Sequence, residues 1–184
     1  MKLFKPLYFV LFCCLVMLAF EACTKVSNES PIPSLEYTGY SKFKAVNGKD
    51  SFIVINMNFT DGDGDVGLSE SDSVPPFRYG SKYFYNLFAE FYSIENGLPS
   101  KITSSFITPD TLYKDTVNYS QRLKNLTPEG KNKAIKGKIE LLTPFFLIDL
   151  SSSKPDSVYY EIVLFDRSLN QSQIIRTPTI LLDL

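Results

Sequence analysis

Apolar and polar residues alternate with a period of two along much of the chain beyond residue 35. In one segment the apolar side chains occupy every second position: Ile53, Ile55, Met57 and Phe59. Another segment repeats the pattern: Tyr85, Leu87, Ala89 and Phe91. Successive side chains of a strand point to opposite faces, so this alternation predicts strands with one buried face. Further strands are predicted at 138–142, 145–150, 158–165 and 173–182.

Turn-forming residues separate these segments, and no stretch carries an apolar stripe with helical spacing. Short strands at roughly even spacing are typical of antiparallel sandwiches and barrels. We therefore predict an all-β fold, an antiparallel two-sheet immunoglobulin-like sandwich. Residues 103–123 alternate only weakly, and an edge strand or a long loop fits them equally well.

The N-terminus has the pattern of a secretory signal. Lys2 and Lys5 precede a run of fourteen apolar residues, 7–20, which is shorter than the about 20 needed to span a bilayer. Cys23 follows the small residue Ala22. This arrangement resembles the lipobox of bacterial lipoproteins. The resemblance implies that the signal is removed, that Cys23 is acylated and that the mature protein is anchored by lipid.

Three regions follow from this interpretation: a signal peptide at 1–22, a lipidated cysteine and flexible tether at 23–34, and a sandwich domain at 35–184. Removal of the signal leaves 162 residues with 17 basic and 19 acidic side chains, so no basic excess indicates nucleic acid or anionic lipid. Cys23 is then the only cysteine, which excludes an internal disulfide. Histidine is absent, which removes the commonest general base, and we predict that the protein is not an enzyme.

The chemistry of the chain is concentrated in an acidic loop at 59–67. Asp61, Asp63 and Asp65 recur at every second position and are separated by glycines, which let the backbone curl until the side chains converge. Such crowding is unfavourable unless a cation neutralises it, and calcium takes six to eight oxygen ligands. The loop departs from an EF-hand because Val66 stands where that motif has glycine and Asp72 where it has glutamate. The alternative is a solvated turn between two strands.

A second loop at 166–172 follows the long strand 158–165. Its aspartate, turn and asparagine resemble those of cadherin-like and PKD-like immunoglobulin modules. If both loops lie at one end of the sandwich, Asp166 can supply a further ligand to the metal site of the acidic loop. In the alternative, Asp166 and Asn170 only cap a hairpin turn. The full set of predicted metal ligands is Asp61, Asp63, Asp65, Val66 through its carbonyl, Asp72 and Asp166.

Together, the signal, the acidic loop and the segment 122–139 resemble a group of small Bacteroidota outer-membrane lipoproteins. Bacteroidota also attach O-glycans within a short Asp-Ser/Thr-apolar pattern, and four positions resemble it: Ser73, Thr111, Thr116 and Ser157. We therefore expect a lipid-anchored, non-catalytic, calcium-stabilised envelope protein on the periplasmic or the surface face of the outer membrane. Its role is structural, adhesive or that of an accessory subunit of an envelope complex. The alternative is a calcium-dependent glycan-binding module.

Overall fold

A computed structural model describes residues 29–95, 97–101, 103–107, 112–116, 119–125, 127, 133–145 and 155–184. These residues form ten strands: β1 (Ser34–Lys44), β2 (Asp50–Asp61), β3 (Leu87–Glu95), β4 (Leu98–Lys101), β5 (Thr103–Ile107), β6 (Leu112–Thr116), β7 (Ile135–Pro144), β8 (Ser157–Leu164), β9 (Ile175–Arg176) and β10 (Ile180–Leu181). Within that part of the chain, no helix combines the length and apolar character that a membrane crossing requires. The predicted signal peptide and Cys23 lie outside the described residues.

The strands form two antiparallel sheets. One has the order β1-β2-β7, and the other has the order β10-β8-β3-β4, with β9 also paired to β8. This order corresponds to strands A-B-E facing strands G-F-C-C′ of an immunoglobulin fold. The predicted all-β, two-sheet sandwich is confirmed. β5 and β6 pair separately as a hairpin.

The core lies between the sheets and is built from the inward positions of the alternating segments. Ile53, Ile55, Met57 and Phe59 are all buried, because β2 is the central strand of its sheet and turns this face towards β8 and β3. Burial of one such side chain contributes about 1.5–3 kcal/mol. Across the core, the hydroxyl of Thr143 in β7 lies 2.9 Å from that of Tyr160 in β8, and this contact joins the two sheets. Within the second sheet, the ring of Phe91 in β3 lies 5.0 Å from that of Tyr160, its partner in register.

The structure resolves or revises the weaker strand predictions. Residues 103–116 contain the β5–β6 hairpin, and Tyr119 then donates its backbone N–H to the Ala89 carbonyl at 2.9 Å, so that the chain continues beside β3. The strand predicted at 173–182 is two short pieces, β9 and β10. Thr177 lies between them, and its hydroxyl accepts the backbone N–H of Tyr160, which replaces a ladder bond. Of the strand predicted at 145–150, only Phe145 is described, and it is buried.

The sandwich has two ends that differ in chemistry. β2 runs from the β1–β2 turn at 45–49 to the acidic loop, and its eleven residue steps separate these features by roughly 36 Å. We call the side of the acidic loop the acidic end and the side of the β1–β2 turn the turn end. The C-terminal segment lies at the turn end, where Asp50 donates its backbone N–H to the Asp183 carbonyl at 2.7 Å.

Candidate metal centre

The centre forms where one strand of each sheet ends. Asp61 is the last residue of β2, and Asp166 follows β8 by two positions. Both residues are only 1% exposed. The two strands end on the same side of the sandwich, so the loops that follow them meet there, although 105 residues separate the two aspartates in the sequence.

Four carboxylates converge at this point. One oxygen from each of Asp61, Asp63, Asp65 and Asp166 lies within 4.8 Å of the corresponding oxygen of the other three. Calcium binds oxygen at about 2.3–2.6 Å, so two ligands on opposite sides of one ion lie about 5 Å apart. The spacing therefore fits a single cation at the centre of the four oxygens.

Several of these oxygens are buried without a hydrogen-bond donor. The Oδ2 atom of Asp61 accepts the backbone N–H of Val66 at 3.0 Å. The Oδ1 atoms of Asp61, Asp63 and Asp65 are inaccessible to solvent, and no donor among the described residues reaches them. Buried polar atoms without partners are costly and rare. A cation bound between them would supply a partner for all three atoms at once.

The second loop is fixed to the acidic loop by hydrogen bonds. Ser168 donates its backbone N–H and its hydroxyl to Asp65 Oδ2, at 3.1 and 2.6 Å. Arg167 donates its backbone N–H to the Asp65 carbonyl at 3.2 Å. Asn170 donates its backbone N–H and its side-chain amide to the two oxygens of Asp166, at 2.7 and 2.8 Å. Asp166 therefore caps its own turn and also lies within the carboxylate group, and its role as a metal ligand stays a prediction.

The environment disfavours negative charge at two of the four carboxylates. Burial, reinforced by the charges of Asp63 and Asp65, raises the pKa of Asp61 to about 7, and the N–H of Val66 opposes this shift only in part. Burial and the same two charges also raise the pKa of Asp166, against the hydrogen bonds from Asn170. A divalent cation reverses this balance because it favours the ionised carboxylates.

Glycines allow the acidic loop to pack tightly against its neighbours. Gly64 has a φ of +74°, which L side chains rarely adopt, and a Cβ at this position meets the Lys133 carbonyl. A Cβ on Gly62 meets the carbonyls of Glu29 and Ser30. The loop is therefore enclosed by segments that are distant in sequence, which holds the aspartates in place.

Two predicted ligands do not join the four carboxylates. Both oxygens of Asp72 have other partners, because Ser69 donates its N–H and hydroxyl to Oδ2, and Arg167 donates to Oδ1 at 2.7 Å. Although burial acts to raise it, these hydrogen bonds and the arginine charge lower the pKa of Asp72. The prediction of Asp72 as a ligand is corrected: it stabilises the loop. Val66 donates its N–H to Asp61 and buries its side chain, and its carbonyl stays a predicted ligand.

The predicted O-glycosylation positions differ in their environment. Ser73 is exposed in the loop between β2 and β3, whereas Ser157 is half-buried at the start of β8. Thr116 lies in β6, of which only the backbone is described, and Thr111 lies outside the described residues.

Sequence reasoning missed two residues that organise this end of the molecule. Ser168 belongs to the second loop, but its bonds to Asp65 depend on two loops that meet only in the fold. Arg122 donates to the main-chain carbonyls of four residues in the loop between β2 and β3: Ser69, Asp72, Phe77 and Phe84. A single arginine in a weakly alternating segment carries no local signal of this role.

Comparison with protein-family models, curated proteins and solved structures finds no match to this chain.

The metal-free protein is expected to lose stability as pH rises from about 5 to above 7. The raised pKa of Asp61 means that the folded state holds this proton more tightly than the unfolded state, whose pKa is near 3.8. The resulting stabilisation is complete below the unfolded value and disappears as pH rises through about 7. Asp72 acts in the opposite direction, but its lowered pKa completes its contribution by about pH 5.

Urea unfolding in EGTA and in calcium across this pH range measures the effect. In calcium the decline should vanish, since the ion stabilises the ionised carboxylates. Equal pH profiles in the two buffers would contradict the assignment of the effect to this cluster.

Proposed function

We propose that this chain is a lipid-anchored, non-catalytic protein of the bacterial cell envelope, in which one calcium ion stabilises one end of a β-sandwich. The observation that carries the metal is the group of four carboxylates, three of which bury an oxygen without a donor among the described residues. The anchor is proposed from Cys23 and the signal that precedes it.

Calcium is the cation that this ligand set favours. The ligands are oxygens from side chains on two loops, and calcium accepts six to eight oxygens in a flexible geometry. Magnesium requires a smaller octahedral shell and usually retains several waters, which suits a buried group of four carboxylates less well. The absence of histidine and the single cysteine of the mature chain also disfavour zinc and other transition metals.

The proposed role is structural, adhesive or that of an accessory subunit. The bound ion would join the loop after β2 to the loop after β8 and so connect the two sheets at the acidic end. An envelope protein unfolded by loss of the ion would be exposed to proteolysis, so the calcium outside the cell would set its lifetime.

Thermal unfolding of residues 23–184 with Cys23→Ser, in calcium and in EGTA, tests the proposal. A ligand at one hundred times its Kd adds about 2.7 kcal/mol when it binds only the folded state, which raises the midpoint of a domain of this size by roughly 5–10 °C. Asp63→Asn should remove most of this increase because it deletes one charge from the site without changing its volume.

Asp72→Asn is the matched control. It makes the same chemical change at an aspartate outside the carboxylate group, so it should lower the midpoint in both buffers and preserve the increase with calcium. Equal midpoints for the parent protein in calcium and in EGTA would remove the metal from the proposal.

A further inference from the structure

The segment that leads to the proposed anchor enters the domain at the acidic end. Ser30 accepts the backbone N–H of Gly62 through its carbonyl, at 2.9 Å. Gly62 lies between two of the proposed ligands, Asp61 and Asp63. The sequence predicts a flexible tether at 23–34, but Glu29 and Ser30 of this range lie against Gly62 of the acidic loop, and β1 begins at Ser34.

Chain length limits the distance between the acidic end and the anchor. Seven residue steps separate Cys23 from Ser30, and a chain spans at most about 3.6 Å per residue, so the two lie no more than about 25 Å apart. The turn end is roughly 36 Å farther along β2. An acyl group on Cys23 would therefore hold the acidic end close to the bilayer.

Three exposed lysines lie beside the acidic loop. Lys133 and Lys124 lie with their main chains against Gly64 and Gly67, and Lys136 pairs in register with Thr60 at the end of β2. All three lysines are exposed, and none takes part in an ion pair with another described residue. They place three positive charges, beside the exposed Glu29 and Glu70, on the end of the domain that the anchor would hold nearest to the membrane.

Three described lysines of the turn end have carboxylate partners instead. Lys42 pairs with Asp50 at 3.0 Å, and Lys44 and Lys49 pair with Asp183 at 3.5 and 2.6 Å. Among the described residues, lysines without a carboxylate partner therefore lie at the acidic end and not at the turn end, although the mature chain as a whole has a slight acidic excess.

We infer that the acidic end is a membrane-contacting surface, on which Lys124, Lys133 and Lys136 bind the phosphates of anionic lipid headgroups while the bound calcium offsets the adjacent carboxylates. Without the ion, four carboxylates repel the same headgroups that the lysines attract. This inference rests on the proposed function for the calcium and for the anchor. It goes beyond that function by naming the surface and its partner.

Vesicle sedimentation tests the surface without the anchor. The Cys23→Ser chain should bind phosphatidylcholine vesicles that contain phosphatidylglycerol more tightly than pure phosphatidylcholine vesicles, and more tightly in calcium than in EGTA. One lysine near an anionic surface is worth about fivefold in affinity, so Lys124→Gln with Lys133→Gln should weaken binding by roughly 25-fold. Lys44→Gln with Lys49→Gln removes the same charge from the turn end and should leave the affinity within about twofold.

Energy transfer tests the orientation. Cys23, the only thiol of the mature chain, is coupled to a maleimide lipid, and a fluorescent amino acid is placed at the exposed position Glu70 or Val46. Transfer to a headgroup acceptor in calcium should be several-fold greater from position 70, beside the acidic end, than from position 46 in the β1–β2 turn. Equal transfer, or stronger transfer from position 46, would overturn the orientation.

Calorimetric titration of the same protein with calcium separates the possible failures. If calcium binds but the two double variants lose affinity equally, the membrane surface is wrong and the metal centre stands. If calcium does not bind, the proposed metal centre is wrong, and so is the requirement for calcium in the membrane contact. Vesicle binding measured in EGTA then tests the contribution of the lysines alone.

Discussion

Asp61→Asn should make the metal-free protein more stable and abolish most of its response to calcium. The buried carboxylate of Asp61 faces two other carboxylates, and its pKa is raised to about 7, so near neutral pH the ionised form destabilises the metal-free fold. Asparagine keeps the shape, removes the charge and places an amide donor near oxygens that lack one. We expect a gain on the order of 2 kcal/mol in EGTA at pH 7.5.

In calcium, the same variant should be less stable than the parent protein, because a ligand of the ion is lost. The sign of the change therefore depends on the buffer, and urea unfolding in each buffer measures it. Asp72→Asn is again the control and should lose stability in both buffers, since Ser69 and Arg167 donate to a carboxylate that it removes. If Asp61→Asn and Asp72→Asn destabilise the protein equally in EGTA, the proposed repulsion among the aspartates is wrong.

Arg122→Ala should cause the largest loss of stability among single changes outside the core. The guanidinium donates to four carbonyls at 2.8–3.2 Å and lies 5.1 Å from the centre of the Phe84 ring. These carbonyls belong to the loop at 62–86, which contains no named strand, and the arginine joins four separate points of this loop. Hydrogen bonds to charged groups contribute about 1.5–3 kcal/mol each but are not additive, so we expect a loss of about 3–5 kcal/mol.

Arg176→Ala provides the comparison for this variant. Its exposed guanidinium lies 3.7 Å from the centre of the buried Tyr159 ring, and a contact made by an exposed cation contributes about 0.5–1 kcal/mol. Hydrogen exchange should show that Arg122→Ala exposes the amides of residues 68–86 while those of β2 and β8 stay protected. A loss no larger than that of Arg176→Ala would contradict the organising role of Arg122.

The acidic loop illustrates how far the sequence leads towards the site. Three aspartates at alternate positions, separated by glycines, are close in space wherever the chain curls, so their grouping is a local property. Asp72 follows seven positions after Asp65 but lies outside the group. Ser69 donates to one of its oxygens, and Arg167, which is 95 residues away and meets it only in the folded protein, donates to the other.

The period-two pattern determined the fold class by itself, because the direction of a side chain from a strand is set by the backbone of that strand alone. The same local reasoning found the three aspartates of the acidic loop and named Asp72, later in the same connection, and Asp166, after β8, as further candidates. The tertiary structure alone decided that Asp166 joins the group, that Asp72 does not and that three exposed lysines lie near it. Those outcomes depend on which strand ends share one side of the sandwich, and strand pairing over a hundred residues leaves no mark in the spacing of neighbouring residues.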